Sequence, residues 1–143
     1  ISLNSVNEPG SLAQIAQGAD VVFPIAGGTG LGALQAVKES GKLAVGVDSD
    51  QALIFKDSDP AQADVILTSV EKRVGASLYQ VLKATIDGTA EYGKGVLLGV
   101  KDGAVGISEN EYYEKLVPAD VRAEVDALEA KISSGELVVD SVM

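Results

Sequence analysis

Short apolar runs rich in β-branched residues alternate with amphipathic segments through the first half of the chain, and this alternation constrains the fold most strongly. The runs occupy residues 21–25, 43–47 and 65–67, and apolar residues recur at helical spacing over 31–37. Strands that alternate with helices predict an α/β fold with a largely parallel sheet. The runs carry few charges, as expected for strands that are covered on both faces.

Proline, glycine and the spacing of apolar residues predict the other elements. A break at Pro9-Gly10 precedes the first helix, and the polar segment 49–64 is interpreted mainly as a loop. A glycine at the end of the short link 101–103 favours a hairpin between two strands. We therefore expect, in chain order, a helix over 11–17, a helix closed by Gly41, the loop over 49–64, a helix from Val74 ended by Asp87-Gly88, strands over 95–100 and 104–107, a helix between Pro118 and Gly135, and a strand over 137–139.

Two absent residue types narrow the chemistry that the chain can perform. Its 143 residues include neither Cys nor His, so disulfides, thiolate catalysis, zinc–cysteine sites and a Ser-His-Asp triad cannot be built from it. The formal net charge of −10 disfavours binding to nucleic acid or to anionic lipid. Asp57 and Asp59 lack the glycine and the terminal glutamate of an EF-hand loop. We expect neither a metal nor a cofactor.

A glycine-rich segment, Gly27-Gly28-Thr29-Gly30-Leu31-Gly32, lies between the first predicted strand and the following helix. Glycine permits positive φ and lets a ligand approach the backbone closely, and the helix would direct its free N–H groups at an anion or a sugar hydroxyl. A tight turn with no ligand is the alternative interpretation. We favour the ligand, because four glycines in six residues exceed what a turn needs.

Two charged residues at the ends of the next strands are further candidates. Asp48 follows the second apolar run, where a carboxylate can accept two hydroxyl hydrogens from a ribose or a hexose; a helix cap or a turn aspartate is the alternative. We prefer Asp48 to Asp50 because Asp48 directly adjoins the buried run. Lys72 follows the third strand and can donate to ligand hydroxyls or ring nitrogens, although a solvated lysine fits its position equally well. Ligands of parallel sheets bind beyond the carboxyl ends of strands, so the glycine loop and Asp48 are expected at the same crevice.

A dinucleotide site is a competing interpretation of the same residues. The segment from Gly28 to Ala33 fits G-x-G-x-x-A between a strand and a helix, and Asp48 lies 20 residues after Gly28, as an acid that binds a ribose would. A dinucleotide-dependent oxidoreductase also needs a proton donor and a substrate domain. The chain has no His or Cys to act as the donor and little length left for a second domain.

The chain resembles the basic membrane protein family, the substrate-binding lipoproteins of ABC transporters that include the purine nucleoside receptors. Several separated stretches carry the resemblance, in order and over nearly the whole chain. These are Gly18-Ala19-Asp20-Val21-Val22-Phe23-Pro24-Ile25-Ala26-Gly27-Gly28-Thr29-Gly30, Gly46-Val47-Asp48-Ser49-Asp50-Gln51, Val65-Ile66-Leu67-Thr68-Ser69-Val70-Glu71-Lys72-Arg73-Val74-Gly75, residues 95–106 and residues 131–138.

The resemblance implies a periplasmic-binding-protein type I-like lobe, with a mostly parallel sheet flanked by helices, that is incomplete relative to the two-lobe family fold. Only the C-terminal half of the family is represented. Residues 1–64 and 108–143 are expected in the second lobe, and 65–107 in the hinge and in elements that pack on the missing N-terminal lobe. Apolar surface that this lobe covers should therefore be exposed here.

The resemblance also implies the binding residues. The family's glycine loop corresponds to Gly27 and Gly28, its ribose-binding aspartate to Asp48 and its ligand-binding lysine to Lys72. The family usually has an aromatic residue early in this lobe that stacks on a purine, whereas residues 4–8 contain no aromatic. A ribosyl ligand is therefore implied more directly than a purine base.

We interpret the chain as part of a substrate-binding protein that delivers a nucleoside or a similar ribosyl compound to an ABC permease, without bond chemistry. We expect an extracytoplasmic lipoprotein, at the cell surface or in the periplasm, whose membrane anchor lies upstream of Ile1. Two alternatives remain open: a dinucleotide-binding fragment of an oxidoreductase, and a sensor or regulator that reuses the binding fold.

Overall fold

A computed structural model describes residues 4–139, with side chains from Pro9 onward. Seven α-helices and four strands lie within these residues. In chain order they are α1 (Asn4–Ala16), β1 (Val21–Val22), α2 (Gly30–Glu39), β2 (Leu43–Asp48), α3 (Gln51–Phe55), α4 (Pro60–Ala63), β3 (Ile66–Lys72), α5 (Val74–Ile86), β4 (Val105–Ile107), α6 (Glu111–Leu116) and α7 (Ala119–Ser134).

The four strands form one sheet in the order β1-β2-β3-β4. β1 pairs with β2 and β2 with β3, both in parallel, and a register irregularity falls between Ala44 and Val45. β4 runs antiparallel to β3: Ser108 N donates to Ser69 O at 2.9 Å, while Arg73 N donates to Ala104 O at 2.8 Å. The predicted α/β class with a mostly parallel sheet is confirmed.

The strand order also bears on the dinucleotide alternative. In a dinucleotide-binding sheet the strand that follows the third one returns to lie beside the first, parallel to it. Here the next strand, β4, pairs with β3 and runs antiparallel. Within residues 4–139, the topology therefore departs from the one that the glycine fingerprint accompanies in oxidoreductases.

The chain divides into two compact units. The first unit comprises the residues up to Glu71 together with 107–117, and the second unit comprises 72–106 together with the residues from Pro118 onward. The chain passes from one unit to the other within β3, within β4 and after α6.

The first unit has a compact apolar core between the sheet and its helices. Small residues let these elements approach closely, since Ala44, Ala52 and Ala63 are fully buried. Leu34 and Ile66 are the largest apolar side chains among the fully buried ones. The core cluster consists of Val22, Leu34, Val37, Ala44, Ala52, Ala63, Ile66 and Tyr112.

The second unit buries very little. Of its described residues, only Ala104 and Gly106 are buried. Helix α5 has its less exposed positions at Ser77, Gln80 and Ala84, whereas its large apolar side chains are exposed. These exposed side chains are Val74, Leu78, Tyr79, Val81, Leu82 and Ile86.

Two predicted boundaries in the first unit are wrong. Helix α1 begins at Asn4 and contains Pro9, so Pro9-Gly10 is not a break. The helix packs on α2, and Ile15 contacts the core. This packing offsets the loss of the backbone hydrogen bond that proline removes. The segment 49–64 is also not mainly a loop, because it contains α3 and α4. Asp50 and Asp59 each cap one of these short helices, accepting hydrogen bonds from Leu53 N and Gln62 N.

The hairpin predicted in the second unit is also wrong. Residues 95–99 form no strand, and residues 100–102 form a 3₁₀ turn that ends at Gly103 with φ 66°. Only 105–107 of the predicted pair is extended, as β4, and its partner is β3. The strand predicted over 137–139 is absent from these described residues, whereas the predicted helices over α2, α5 and α7 are confirmed.

Two leucines of α2, one buried and one exposed, test how much the core contributes to stability. We predict that Leu34→Ala, at a side chain that is 1% exposed, lowers the free energy of unfolding by about 3 kcal/mol because a cavity remains. Leu31→Ala, at a side chain that is 39% exposed, should cost less than about 1 kcal/mol. Chemical denaturation of both variants measures the difference, and equal losses would contradict this account of the core.

Candidate ligand-binding site

The glycine-rich segment forms a 3₁₀ turn over Gly27–Thr29 that leads into α2. Gly27 has φ 52°, which glycine adopts without strain. A Cβ at Gly28 would have no neighbour within 4 Å, so the backbone is open to a ligand on that side. Thr29 Oγ1 donates to Ala26 O at 2.7 Å and ties the turn to the end of the preceding segment.

Gly30 has a structural reason for being glycine. A Cβ there would lie 3.2 Å from the backbone oxygen of Pro24, so the absence of a side chain permits close packing of the turn on the segment after β1. Part of the glycine content of this loop therefore reflects packing. The ligand interpretation rests on Gly27 and Gly28.

Asp48 ends β2 in a strained backbone conformation. Its φ of 69° is the single positive value at a non-glycine residue within the described chain. Ser49 N donates to Val47 O at 2.8 Å, which closes a γ-turn with Asp48 at its centre. A γ-turn with a central φ near +75° is the rarer and more strained form. Such strain persists where the surrounding structure holds it, commonly at functional sites.

The structure brings three of the four predicted site residues together in the first unit. A pocket of about 230 Å³ lies between the 3₁₀ turn and the end of β2. Both loop glycines and the strained aspartate line it, with apolar side chains from α2 and α3 beside them. The lining residues are Gly27, Gly28, Leu31, Val47, Asp48, Ser49, Gln51 and Ile54.

The neighbouring carboxylate, Asp50, has a structural role instead. Its oxygens accept hydrogen bonds from Asn110 Nδ2 at 2.9 and 2.7 Å and from Leu53 N at 3.1 Å. Asn110 in turn caps α6 through Tyr112 N and Tyr113 N. Asp50 therefore links two helix N-termini.

The fourth predicted site residue, Lys72, belongs to the second unit. It is the last residue of β3 and is exposed. Glu71, which precedes it, is the Cα partner of Asp48 across the parallel pair and accepts a hydrogen bond from Ser108 Oγ at 2.8 Å. The division between the two units falls between Glu71 and Lys72. Lys72 is not among the residues that line the pocket.

Sequence reasoning missed Gln51 and Ser69, which support the end of β2. Gln51 Oε1 accepts a hydrogen bond from Val47 N at 3.3 Å, and Gln51 N donates to Ser69 Oγ at 3.0 Å. Gln51 was missed because 49–64 was interpreted as a loop, and Ser69 because its role depends on its contact with Gln51. Asp50 followed by a short apolar run, a helix-cap pattern, is the signal that could have indicated Gln51.

The site offers hydrogen-bond groups but no strong nucleophile. A carboxylate beside open backbone and apolar side chains suits recognition of a small polar ligand. Within residues 4–139, no group of acidic side chains is arranged to hold a metal ion. The described helices are also too short or too polar to span a bilayer.

Comparisons with known proteins identify relatives of this chain. A basic membrane protein A of Borreliella afzelii is 34% identical over 125 residues, which cover 85% of this chain and 35% of that protein. The ABC transporter nucleoside-binding protein BmpA of Lactococcus lactis is 29% identical over 131 residues, covering 85% of this chain and 37% of its own length. The chain thus spans about a third of the curated relatives that it matches.

The fold is shared with a solved structure of larger size. The crystal structure of a transcriptional activator of the comK gene from Bacillus halodurans matches with a TM-score of 0.77 and 24% identity, over 96% of this chain and 44% of that chain. At this identity the likeness supports the fold alone. A sequence model of the Bmp family, described as ABC transporter substrate-binding protein PnrA-like, matches residues 6–141, and the chain belongs to that family.

Proposed function

We propose that this chain is the part of an ABC importer's substrate-binding protein that grips the ribose of a nucleoside or of a similar ribosyl compound. The observation that carries the proposal is the shared pocket of Gly27, Gly28 and Asp48. Membership of the Bmp family and the nucleoside-binding relative support it. The protein captures and releases its ligand without making or breaking bonds.

The chemistry of the pocket suits a vicinal diol. An ionised carboxylate has two oxygens and can accept a charge-assisted hydrogen bond at each of them. The open backbone at Gly28 allows a ribose to approach closely, as no side chain intervenes. Leu31 and Ile54, which are partly exposed at the pocket, offer apolar contact to the sugar ring or to the base.

Lys72 is proposed as the ammonium donor to the ligand, by its correspondence with the family's lysine. It is the last residue of β3. A ligand held between this chain and the N-terminal lobe favours the closed arrangement of a protein that opens and closes about hinge strands. The permease then recognises the closed form, whose population the ligand raises.

The exposed apolar face of α5 supports the proposal that another lobe of the full-length protein covers this helix. A helix normally buries its apolar face, but α5 turns its small and polar residues inward and exposes Leu78, Leu82 and Ile86, the last of which is 84% exposed. We propose that residues 65–107 form the hinge and the elements that pack on the N-terminal lobe, while 1–64 and 108–143 form the second lobe. The proposed partner is the N-terminal lobe, and this chain covers only about a third of the length of its relatives.

The proposed location follows from the proposed role. A protein that delivers solutes to an importer works outside the cytoplasmic membrane. We therefore propose an extracytoplasmic lipoprotein, anchored through a segment upstream of Ile1. A cytosolic full-length protein with a fused DNA-binding segment would instead support a sensor or regulator.

Replacing Asp48 tests the ligand-binding role. We predict that Asp48→Ala in the full-length protein weakens binding of a ribonucleoside at least about 100-fold, because two charge-assisted hydrogen bonds contribute about 1.5–3 kcal/mol each. Isothermal titration calorimetry with a panel of ribonucleosides, their 2′,3′-dideoxy analogues and NAD measures the effect. Asp57→Ala, at an exposed carboxylate outside the pocket, is the matched control and should bind normally.

Three outcomes of this titration would contradict the proposal. Unchanged affinity in Asp48→Ala would remove Asp48 from the site. Equal affinity for ribonucleosides and their dideoxy analogues would remove the diol from the recognition. Binding of NAD without binding of any nucleoside would favour the dinucleotide alternative.

A charged residue on the apolar face of α5 tests whether another lobe covers this face in the full-length protein. We predict that Leu82→Glu lowers the free energy of unfolding of the full-length protein by about 2 kcal/mol or more, because it buries a carboxylate against the other lobe. Ala76→Glu adds the same charge at an exposed position off the apolar face and should change stability by less than about 0.5 kcal/mol. Chemical denaturation compares the two, and an equally small effect of both would show that this face is solvent-exposed in the whole protein.

A further inference from the structure

We propose that Gln51 and Ser69 are positioning residues that hold Asp48 in its strained γ-turn, so that the carboxylate faces the pocket before a ligand arrives. The ligand-binding role of Asp48 rests on the function proposed above. The positioning itself concerns the backbone of the protein without ligand and can be tested separately.

The first contact consists of two hydrogen bonds at Val47, the residue before the centre of the turn. We call this pair of hydrogen bonds the clamp. Val47 O accepts the hydrogen bond from Ser49 N that closes the γ-turn, at 2.8 Å. Val47 N donates to the side-chain oxygen of Gln51 at 3.3 Å. Both backbone polar groups of Val47 are thereby engaged locally, and the end of β2 cannot rotate without losing one of these bonds.

The second contact anchors the clamp in the sheet. Gln51 N donates to Ser69 Oγ at 3.0 Å, and Ser69 lies fully buried in β3. A buried hydroxyl in a strand is a rigid acceptor, because its position is set by the pairing of β2 and β3. The backbone around Asp48 is therefore tied through Gln51 to the interior of the sheet.

Gly46 leaves room for both positioning side chains. A Cβ at this position would overlap Ser69 Oγ and lie 2.7 Å from Gln51 Oε1, closer than atoms of these types can approach. Glycine within a strand weakens the strand and often marks a close approach of another group. Here the groups that approach are the two that hold the turn, so the glycine is explained by the clamp.

The physical role of the clamp is to maintain an unfavourable φ. A non-glycine residue at φ 69° keeps that conformation only when its surroundings determine it. Without the clamp, Asp48 is expected to relax to a negative φ and to turn its carboxylate away from the pocket. Glycine at position 48 has no such strain, so it gains nothing from relaxing.

A double-mutant cycle on unfolding tests this coupling without ligand. The full-length protein is compared with Asp48→Gly, with Gln51→Met and with the double variant. We expect Asp48→Gly to lower the unfolding equilibrium constant about fivefold relative to Asp57→Gly, which has the same entropic cost but no strain to relieve. In the Gln51→Met background this gain in stability from Asp48→Gly should vanish, because the backbone strain at position 48 has already relaxed. The same gain in both backgrounds would overturn the proposal, as independent sites are additive.

A second variant tests the same coupling without introducing methionine at position 51. Ser69→Ala removes the acceptor for Gln51 N with little change in volume, and it should also abolish the gain from Asp48→Gly. Persistence of the full gain in the Ser69→Ala background would show that the anchor in β3 has no part in holding the turn.

Ligand titration separates this proposal from the proposed function. Gln51→Met should weaken ribonucleoside binding about tenfold or more, while Asp48→Ala should weaken it at least about 100-fold. If the cycle is additive and Asp48→Ala still weakens binding by this amount, the positioning role is wrong and the function stands. If the cycle shows coupling but Asp48→Ala binds normally, the positioning role stands and the function is wrong.

Discussion

Parallel pairing of β1, β2 and β3 is the constraint on which the rest of the structure depends. Parallel strands end at the same edge of a sheet, so the turn after β1 and the turn after β2 meet there. This edge brings Gly27, Gly28 and Asp48 to a single pocket. It also aligns Asp48 with Glu71, so the chain that leaves β3 begins beside the same edge.

The sequence predicted the parts of the fold that depend on local pattern. Apolar runs and helical spacing identified the sheet and α2, α5 and α7, and the glycine loop and Asp48 stood out because each directly follows a strand. Proximity of the two could be expected from the topology alone. The strained φ of Asp48 could not, since the hydrogen bonds beside it involve an unrecognised helix and a distant strand: Val47 N donates to Gln51 Oε1, and Gln51 N donates to Ser69 Oγ.

The errors share a physical origin in contacts that pattern reasoning does not include. Pro9 lies within α1 because packing on α2 outweighs the lost hydrogen bond. Asp50 and Asp59 looked like loop residues, yet their side chains cap helices too short to show periodicity. Residues 95–100 have strand-like composition, but the strand beside β4 is β3. The apolar face of α5 is consistent with a surface whose partner lies outside this chain.

The central claim is that the strained aspartate at the end of β2 holds the sugar of a ribosyl ligand. A crystal structure of the full-length protein with a bound ribonucleoside tests it most directly. We predict both Asp48 carboxylate oxygens at about 2.5–2.7 Å from the ribose hydroxyls, with the φ of Asp48 still positive. A ligand bound elsewhere, or an Asp48 that contacts only water while the site is occupied, would contradict it.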